Sequence, residues 1–152
     1  MKYLFTNLDS LKCKIDKCRL AVFLDYDGTL APIAENPDKA NISAKMRNVL
    51  KKLSNNKNCI LTIISGRNLQ NIKRKIRLKN VIYCGNHGIQ IDGRKIRCTY
   101  PITQTFKNIL KPIQTDLNTK FASYPGVLVE NKQFSLGVHY RLAKTTDRKS
   151  VV

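Results

Sequence analysis

No apolar run in this 152-residue sequence approaches the roughly 20 residues that a membrane-spanning helix needs; the longest, Leu20 to Leu24 and Cys59 to Ile64, are only strand-length. The opening MKYLFTNLDS has too short an apolar stretch for a secretory signal, so a cytoplasmic protein without membrane contact is expected. CxxC pairs are missing too. The five cysteines, at 13, 18, 59, 84 and 98, are odd in number, which argues against both a disulfide framework and a structural zinc site. Cys59 and Cys84 fall in apolar runs and are expected to be buried, reduced thiols. Repeats and low-complexity segments are absent, and 42% apolar with 25% charged residues suits a folded globular chain, not a disordered one.

Acidic residues are scarce: 10 against 28 basic ones, a formal charge of +18. So large an excess suggests a polyanionic partner, but the placement of the charges weakens that reading. Lys73, Arg74, Lys75, Arg77 and Lys79 follow one another along one expected surface helix, as do Lys45, Arg47, Lys51 and Lys52 along another. Base-stacking aromatics are not interleaved with them, and the sequence carries no helix-turn-helix, zinc-finger or RNA-recognition signature. The expectation is a solvated basic surface that favours an anionic small molecule over nucleic acid.

What the chain does contain is an alternation of strand and helix. LAVFL, at 20 to 24, is a continuous apolar run ending in Asp25, as expected of a strand buried on both faces of a parallel sheet. Ser43 is placed to cap a helix whose apolar positions are Met46, Val49, Leu50 and Leu53, stopped at Asn55 and Asn56. CILTII, at 59 to 64, is a second strand leading into Ser65, Gly66 and Arg67; Leu69, Ile72 and Ile76 mark the next helix, and Val81 to Cys84 a third strand closed by Gly85. This order predicts an α/β fold, a Rossmann-like parallel sheet with its crevice at the strands' carboxyl ends. Asp25, Ser65 and Gly85 to Gly88 all fall at those ends.

IQIDGRKIR then reads as a hairpin turning at Asp92 and Gly93. Beyond Pro101, Phe106, Ile109, Leu110, Ile113, Leu117 and Phe121 form a helical stripe, expected to kink or split at Pro112 and to end by Pro125 and Gly126. Two strands with a turn near Asn131 and Lys132 follow. In the second, Phe134, Leu136, Val138 and Tyr140 share one face, while Ser135, Gly137, His139 and Arg141 share the other. The expected division is residues 1–100 as part of a core and 101–152 as part of a small α/β cap.

DYDGT, Asp25 to Thr29, sets two carboxylates two residues apart at a strand mouth, followed by a glycine that permits a sharp turn. Phosphoryl transfer can use this pair directly: one carboxylate attacks phosphorus while the other protonates the leaving oxygen and then activates water. Two close carboxylates and a phosphate need a neutralising divalent cation, and hard oxygen donors favour Mg2+. The plainer reading is an acidic turn that caps a helix.

FLDYDGTLAPIA resembles the first motif of the haloacid dehalogenase superfamily. By that resemblance Asp25 is the nucleophile, Asp27 the acid and base, both belong to the metal site, and Gly28 and Thr29 shape the phosphate loop. ISGR is similar to the second motif. It implies that Ser65, with Gly66 and Arg67, meets the transferring phosphoryl group, aided by amides opening the next helix. YCGNHGIQI, with Asn86 and His87, and PIAENPDKA resemble segments of trehalose-6-phosphate phosphatases. So do VENK (Glu130, Lys132) and GVHYR (His139, Arg141), where that family's cap meets its sugar phosphate. Taken singly, a Ser-Gly turn is ordinary capping, VENK an ordinary charged turn and His87 a turn cap.

The resemblance implies hydrolysis of trehalose 6-phosphate through an aspartyl-phosphate. Other sugar-phosphate phosphatases, or a noncatalytic sugar-phosphate-binding or regulatory module, are the alternatives. In that family a lysine and an acidic GDDxTD motif follow the cap. Neither has a counterpart in these 152 residues, since Asp147 lacks the strand context and the second carboxylate. These residues alone are therefore expected to be a weak phosphatase and a poorly stable domain.

Overall fold

The computed structural model describes residues 6, 8–15, 17–101 and 103–144. Asp147 lies outside the described residues. A short helix, α1 (Leu8–Ile15), precedes the first strand, β1 (Leu20–Asp25). Then come α2 (Ala44–Asn55), β2 (Cys59–Ile64), α3 (Leu69–Ile76) and β3 (Ile82–Gly85), which make β1–β2–β3 a parallel sheet in that spatial order. The hairpin β4 (Gln90–Asp92) and β5 (Arg97–Thr99) adds two antiparallel strands beyond β3. The long helix α4 (Gln104–Phe121) leads to a separate two-stranded sheet, β6 (Leu128–Asn131) and β7 (Leu136–His139). The α/β architecture with an incomplete Rossmann-like sheet is as expected.

Local chemistry accounts for the helix boundaries. Ser43 accepts the Met46 amide at the start of α2, and Asn68 and Thr103 do the same for Asn71 and Phe106 at the starts of α3 and α4. At the other end of α3, Arg77 takes a left-handed conformation, φ 57°, and the guanidinium of Arg47 donates to the carbonyls of Lys75 and Ile76. A cation there satisfies orphan acceptors and complements the negative end of the helix.

The core is one-sided. Leu61 and Ile63 from β2 and Tyr83 from β3 pack with Leu50 of α2 and Ile72 and Ile76 of α3, joined by Tyr26, Leu30, Ala31, Ala40 and Ile42. The opposite sheet face carries no such layer among the described residues: Phe23 is 63% exposed, and Ile60 and Ile64 are exposed as well. The expectation that β1 is buried on both faces is therefore corrected. Among the described residues it is an edge strand whose alternate residues face solvent, because α2 and α3 cover a single side. Cys59 and Cys84 are half-buried rather than buried, and Val49 points outward. Burial nonetheless pushes the Cys84 thiol above its ordinary pKa.

The helix α4 runs through Pro112 without splitting, and it ends at Phe121, ahead of Pro125 and Gly126 as expected. Proline forfeits one amide donor, but the flanking turns hold, with Thr115 and Thr119 hydroxyls bonding carbonyls one turn back. Its apolar stripe is largely uncovered: Phe106, Ile109 and Ile113 are exposed, and only Phe121 is buried.

Candidate active site

β1 delivers the DYDGT segment to the carboxyl edge of the sheet, and the alternation of a strand sorts its side chains. Tyr26 turns inward, fully buried, and its hydroxyl donates to the Ala40 carbonyl at 2.9 Å. Asp25 and Asp27, on either side, stay exposed. Burial raises the Tyr26 pKa. The chain then reverses at Gly28, whose φ of +88° is a glycine conformation, and the Leu30 and Ala31 amides bond back to the Tyr26 carbonyl. Tyr26 is thus the anchor between the two carboxylates, a role that the alternation of charge and aromatic ring could have suggested.

The two carboxylates differ in their surroundings. Asp27 is gripped by Arg67, whose Nε and Nη2 donate to its two oxygens at 2.8 and 2.7 Å. The same guanidinium donates to the Pro37 carbonyl at 2.7 Å and lies 5.3 Å from the centre of the Tyr26 ring. Burial opposes the Arg67 charge most strongly, but the hydrogen bond to Asp27 together with the charges of Asp27, Tyr26 and Asp38 outweighs it, so its pKa lies above the ordinary arginine value. The Asp25 carboxylate has no hydrogen-bond or ion-pair partner among the described residues. One carboxylate is held in place, and its neighbour is unengaged.

Ser65 follows the last residue of β2, and the pairing of Asp25 with Ile64 sets it beside the acidic turn. It is buried, its Oγ accepts the Arg67 amide at 3.1 Å, and its own proton is committed to no acceptor among the described residues. Gly66 leaves room for the His87 ring: a Cβ there would lie 2.6 Å from Cε1 of His87, so that exposed side chain would have to swing aside. Thr29 is exposed at the same turn.

The segment after β3 folds over this edge. Asn86, His87 and Gly88 all have positive φ, with the Asn86 amide bonded to the Arg67 carbonyl and the His87 amide to the Ser65 carbonyl. Asn86 is buried, its Nδ2 donates to Gln90, and its Oδ1 has no partner among the described residues. Its side chain therefore braces the turn, while His87 is exposed over Gly66. A further contributor that sequence reasoning missed is Lys75, whose ammonium donates to the carbonyls of Asp38 and Ala40 and to Asn41, pinning the 36–41 loop to α3. Burial lowers its pKa.

The second sheet gathers three of the remaining residues. Glu130 pairs with Gly137 across β6 and β7, and His139 Nε2 lies 2.7 Å from Glu130 Oε2, with Lys132 Nζ 3.9 Å from the same oxygen. Arg141 is apart from this cluster. Its Nη1 donates to the Ala34 carbonyl at 2.9 Å, linking the two-stranded sheet to the loop after the acidic turn.

The family model for trehalose-phosphatase matches residues 23–152. The chain belongs to the trehalose-phosphatase family. Among members of this family, the trehalose-phosphate phosphatase B of Arabidopsis thaliana is 33% identical over 132 residues, covering 81% of this chain and 35% of the relative. The trehalose-phosphate phosphatase of Mycobacterium bovis is 34% identical over 131 residues, covering 81% and 31%. The chain thus spans about a third of the length of the curated relatives it matches. The solved C-terminal domain of the Candida albicans trehalose-6-phosphate phosphatase superposes with a TM-score of 0.75 at 29% identity, covering 92% of this chain and 49% of that one.

Among the described residues, no group of three or more His, Cys, Asp or Glu side chains forms a metal cluster. The donors at the acidic turn nevertheless suit a hard cation, because Asp25 offers an unengaged carboxylate and Asp27 a backbone carbonyl. Magnesium characteristically takes one or two protein oxygens and completes its shell with water and phosphate. No described helix is long and apolar enough to cross a membrane.

Proposed function

We propose that this chain is the nucleophile-bearing part of a cytoplasmic trehalose-6-phosphate phosphatase that forms an aspartyl-phosphate on Asp25. The observation that carries this reading is the contrast between the two carboxylates, Asp25 unengaged and Asp27 clamped by Arg67 at the same strand end. An oxygen of Asp25 attacks phosphorus, and the bond to the sugar oxygen breaks. Asp27 gives that oxygen its proton, then takes one from the water that hydrolyses the acyl phosphate. Holding both Asp27 oxygens fixes the plane of the carboxylate, and each oxygen keeps a further lone pair for the proton. Ser65 donates its free proton to a phosphoryl oxygen, aided by the Gly66 amide that follows it. A magnesium ion held by Asp25 and the Asp27 carbonyl would supply charge neutralisation for the phosphoryl group.

Residues 1–100 are the core part and 101–152 the cap part in this reading. Glu130, Lys132 and His139 present one polar cluster for the sugar, and Arg141 ties the cap to the Ala34 loop. Asn86 and His87 shape the rim. The test is phosphate release from trehalose 6-phosphate, sucrose 6-phosphate, glucose 6-phosphate and an aryl phosphate. It is run on the 152-residue chain and on a chimera in which these residues replace the matched segment of the Arabidopsis relative. The expected result is weak turnover by the chain and clear preference for trehalose 6-phosphate by the chimera. A folded chimera that prefers another sugar phosphate, or binds without turnover, overturns the reading.

A further inference from the structure

The basic residues of α3 do not all lie on an open helix face. Five basic residues line one concavity of about 490 Å³: Lys73 from α3, Arg77 and Lys79 from the chain after it, Arg94 from the β4–β5 turn and Arg97 from the start of β5. Among the described residues Asp92 is the only acidic one in that lining, so the formal excess there is four positive charges. Asp92 is moreover already engaged by both Lys73 and Arg97. Leu78, Val81 and Tyr83 form the floor, with the Tyr83 hydroxyl satisfied by the Leu78 backbone.

This concavity is at the wrong end of the sheet to serve the acidic turn. Val81 and the β4–β5 turn flank the amino end of β3, whereas Asp25 and Asn86 lie at the carboxyl ends of the parallel strands. A neighbouring basic hollow around Arg47 and Lys75 is of a different kind. There Arg47 is committed to the carbonyls ending α3, and Lys75 to those of the 36–41 loop. In the first concavity, by contrast, Lys79 and Arg94 are exposed and their side chains have no hydrogen-bond or ion-pair partner among the described residues.

Like charges gathered in a hollow repel one another within a screening length of about 8 Å at physiological salt, and a multivalent anion relieves the repulsion at several points at once. The volume lies within the range of about 300–1,000 Å³ of small-ligand sites and is larger than one phosphate requires. We propose that this concavity is a second anion site, separate from the acidic turn, which takes a compact polyphosphate chain, either inorganic or carried by a nucleotide.

The experiment is titration calorimetry of the 152-residue chain with tripolyphosphate, ATP and orthophosphate at physiological ionic strength. Tripolyphosphate is expected to bind about tenfold or more tighter than orthophosphate, because it meets more charge-assisted contacts. Comparable binding of ATP assigns the site to a nucleotide's phosphates, and tripolyphosphate alone to the inorganic chain; either supports the proposal. Lys79→Ala with Arg94→Ala is expected to weaken the binding by about tenfold or more. Lys51→Ala with Lys111→Ala, an equal change of charge elsewhere, is expected to leave it within about twofold. Equal losses in the two double variants would show diffuse attraction to a basic protein and overturn the proposal. So would loss of binding in Asp25→Asn, which would place the ligand at the acidic turn, or no preference for the longer phosphate.

Discussion

Removing the guanidinium of Arg67 tests whether Asp27 is positioned by its neighbour or by its own loop. Arg67→Gln deletes the two bonds to Asp27, the bond to the Pro37 carbonyl and the approach to the Tyr26 ring, at a side chain only 11% exposed. Fully buried charge-assisted bonds contribute about 1.5–3 kcal/mol, but Asp27 is 41% exposed and solvent screens its pair, so about 1 kcal/mol is the fitting share. The Pro37 bond adds about 1 kcal/mol and the ring contact about 0.5 kcal/mol. Urea unfolding of the 152-residue chain should therefore show a loss of about 2–3 kcal/mol. Arg67→Lys should recover only part of it, because an ammonium keeps the charge but not the fork. A double-mutant cycle with Asp27→Asn should give a coupling of about 1 kcal/mol. In the chimera, turnover should fall by about 10² or more as the acid loses its orientation. A loss below about 0.5 kcal/mol together with unchanged turnover would refute the positioning argument.

Asp27→Asn in the chimera should slow both formation and hydrolysis of the phosphoenzyme by about 10² to 10⁴, seen in rapid-quench kinetics. Gly85→Ala should destabilise by about 1–3 kcal/mol in urea unfolding, since its Cβ would sit 2.6 Å from the Leu69 amide nitrogen, a backbone atom that cannot swing aside. Asp92 is held below its ordinary pKa by hydrogen bonds from Lys73 and Arg97, so its contribution is present above the unfolded-state value and is lost as pH falls through the lowered folded one. Asp92→Asn should then lower the urea midpoint at pH 7 more than at pH 3, and equal losses at both would contradict that account. Glu130→Ala or Lys132→Ala in the chimera should raise KM for trehalose 6-phosphate far more than for an aryl phosphate, and parallel changes would mark them as structural.

The parallel strands and the caps were legible because their causes are local. A run such as CILTII needs only its own composition to be read as a strand, and Ser43 needs only its Met46 partner three residues on. The acidic turn was legible as chemistry for the same reason. What escaped depended on partners distant in sequence. The ISGR motif points Arg67 towards phosphate, yet its guanidinium reaches back 40 residues to Asp27, and Lys75 reaches 37 to the Asp38 carbonyl. Burial failed most visibly. Phe23, Ile60 and the stripe of α4 are apolar in the pattern of buried elements, but no described layer covers them. Hydrophobic periodicity reports which face could be buried, and the packing of other elements decides whether it is. Pro112 shows a related limit, because a helix of 18 residues can continue past one missing amide donor.

The claim on which the account rests is that the unengaged carboxylate of Asp25 takes the phosphoryl group. The direct measurement is borohydride trapping in the chimera during turnover of trehalose 6-phosphate, followed by peptide mass spectrometry, since reduction of an aspartyl-phosphate leaves homoserine at the acylated position. Homoserine at position 25, absent without substrate and absent in Asp25→Asn, is the predicted result. Homoserine at position 27, or steady turnover by Asp25→Asn with no trapped species, would contradict it.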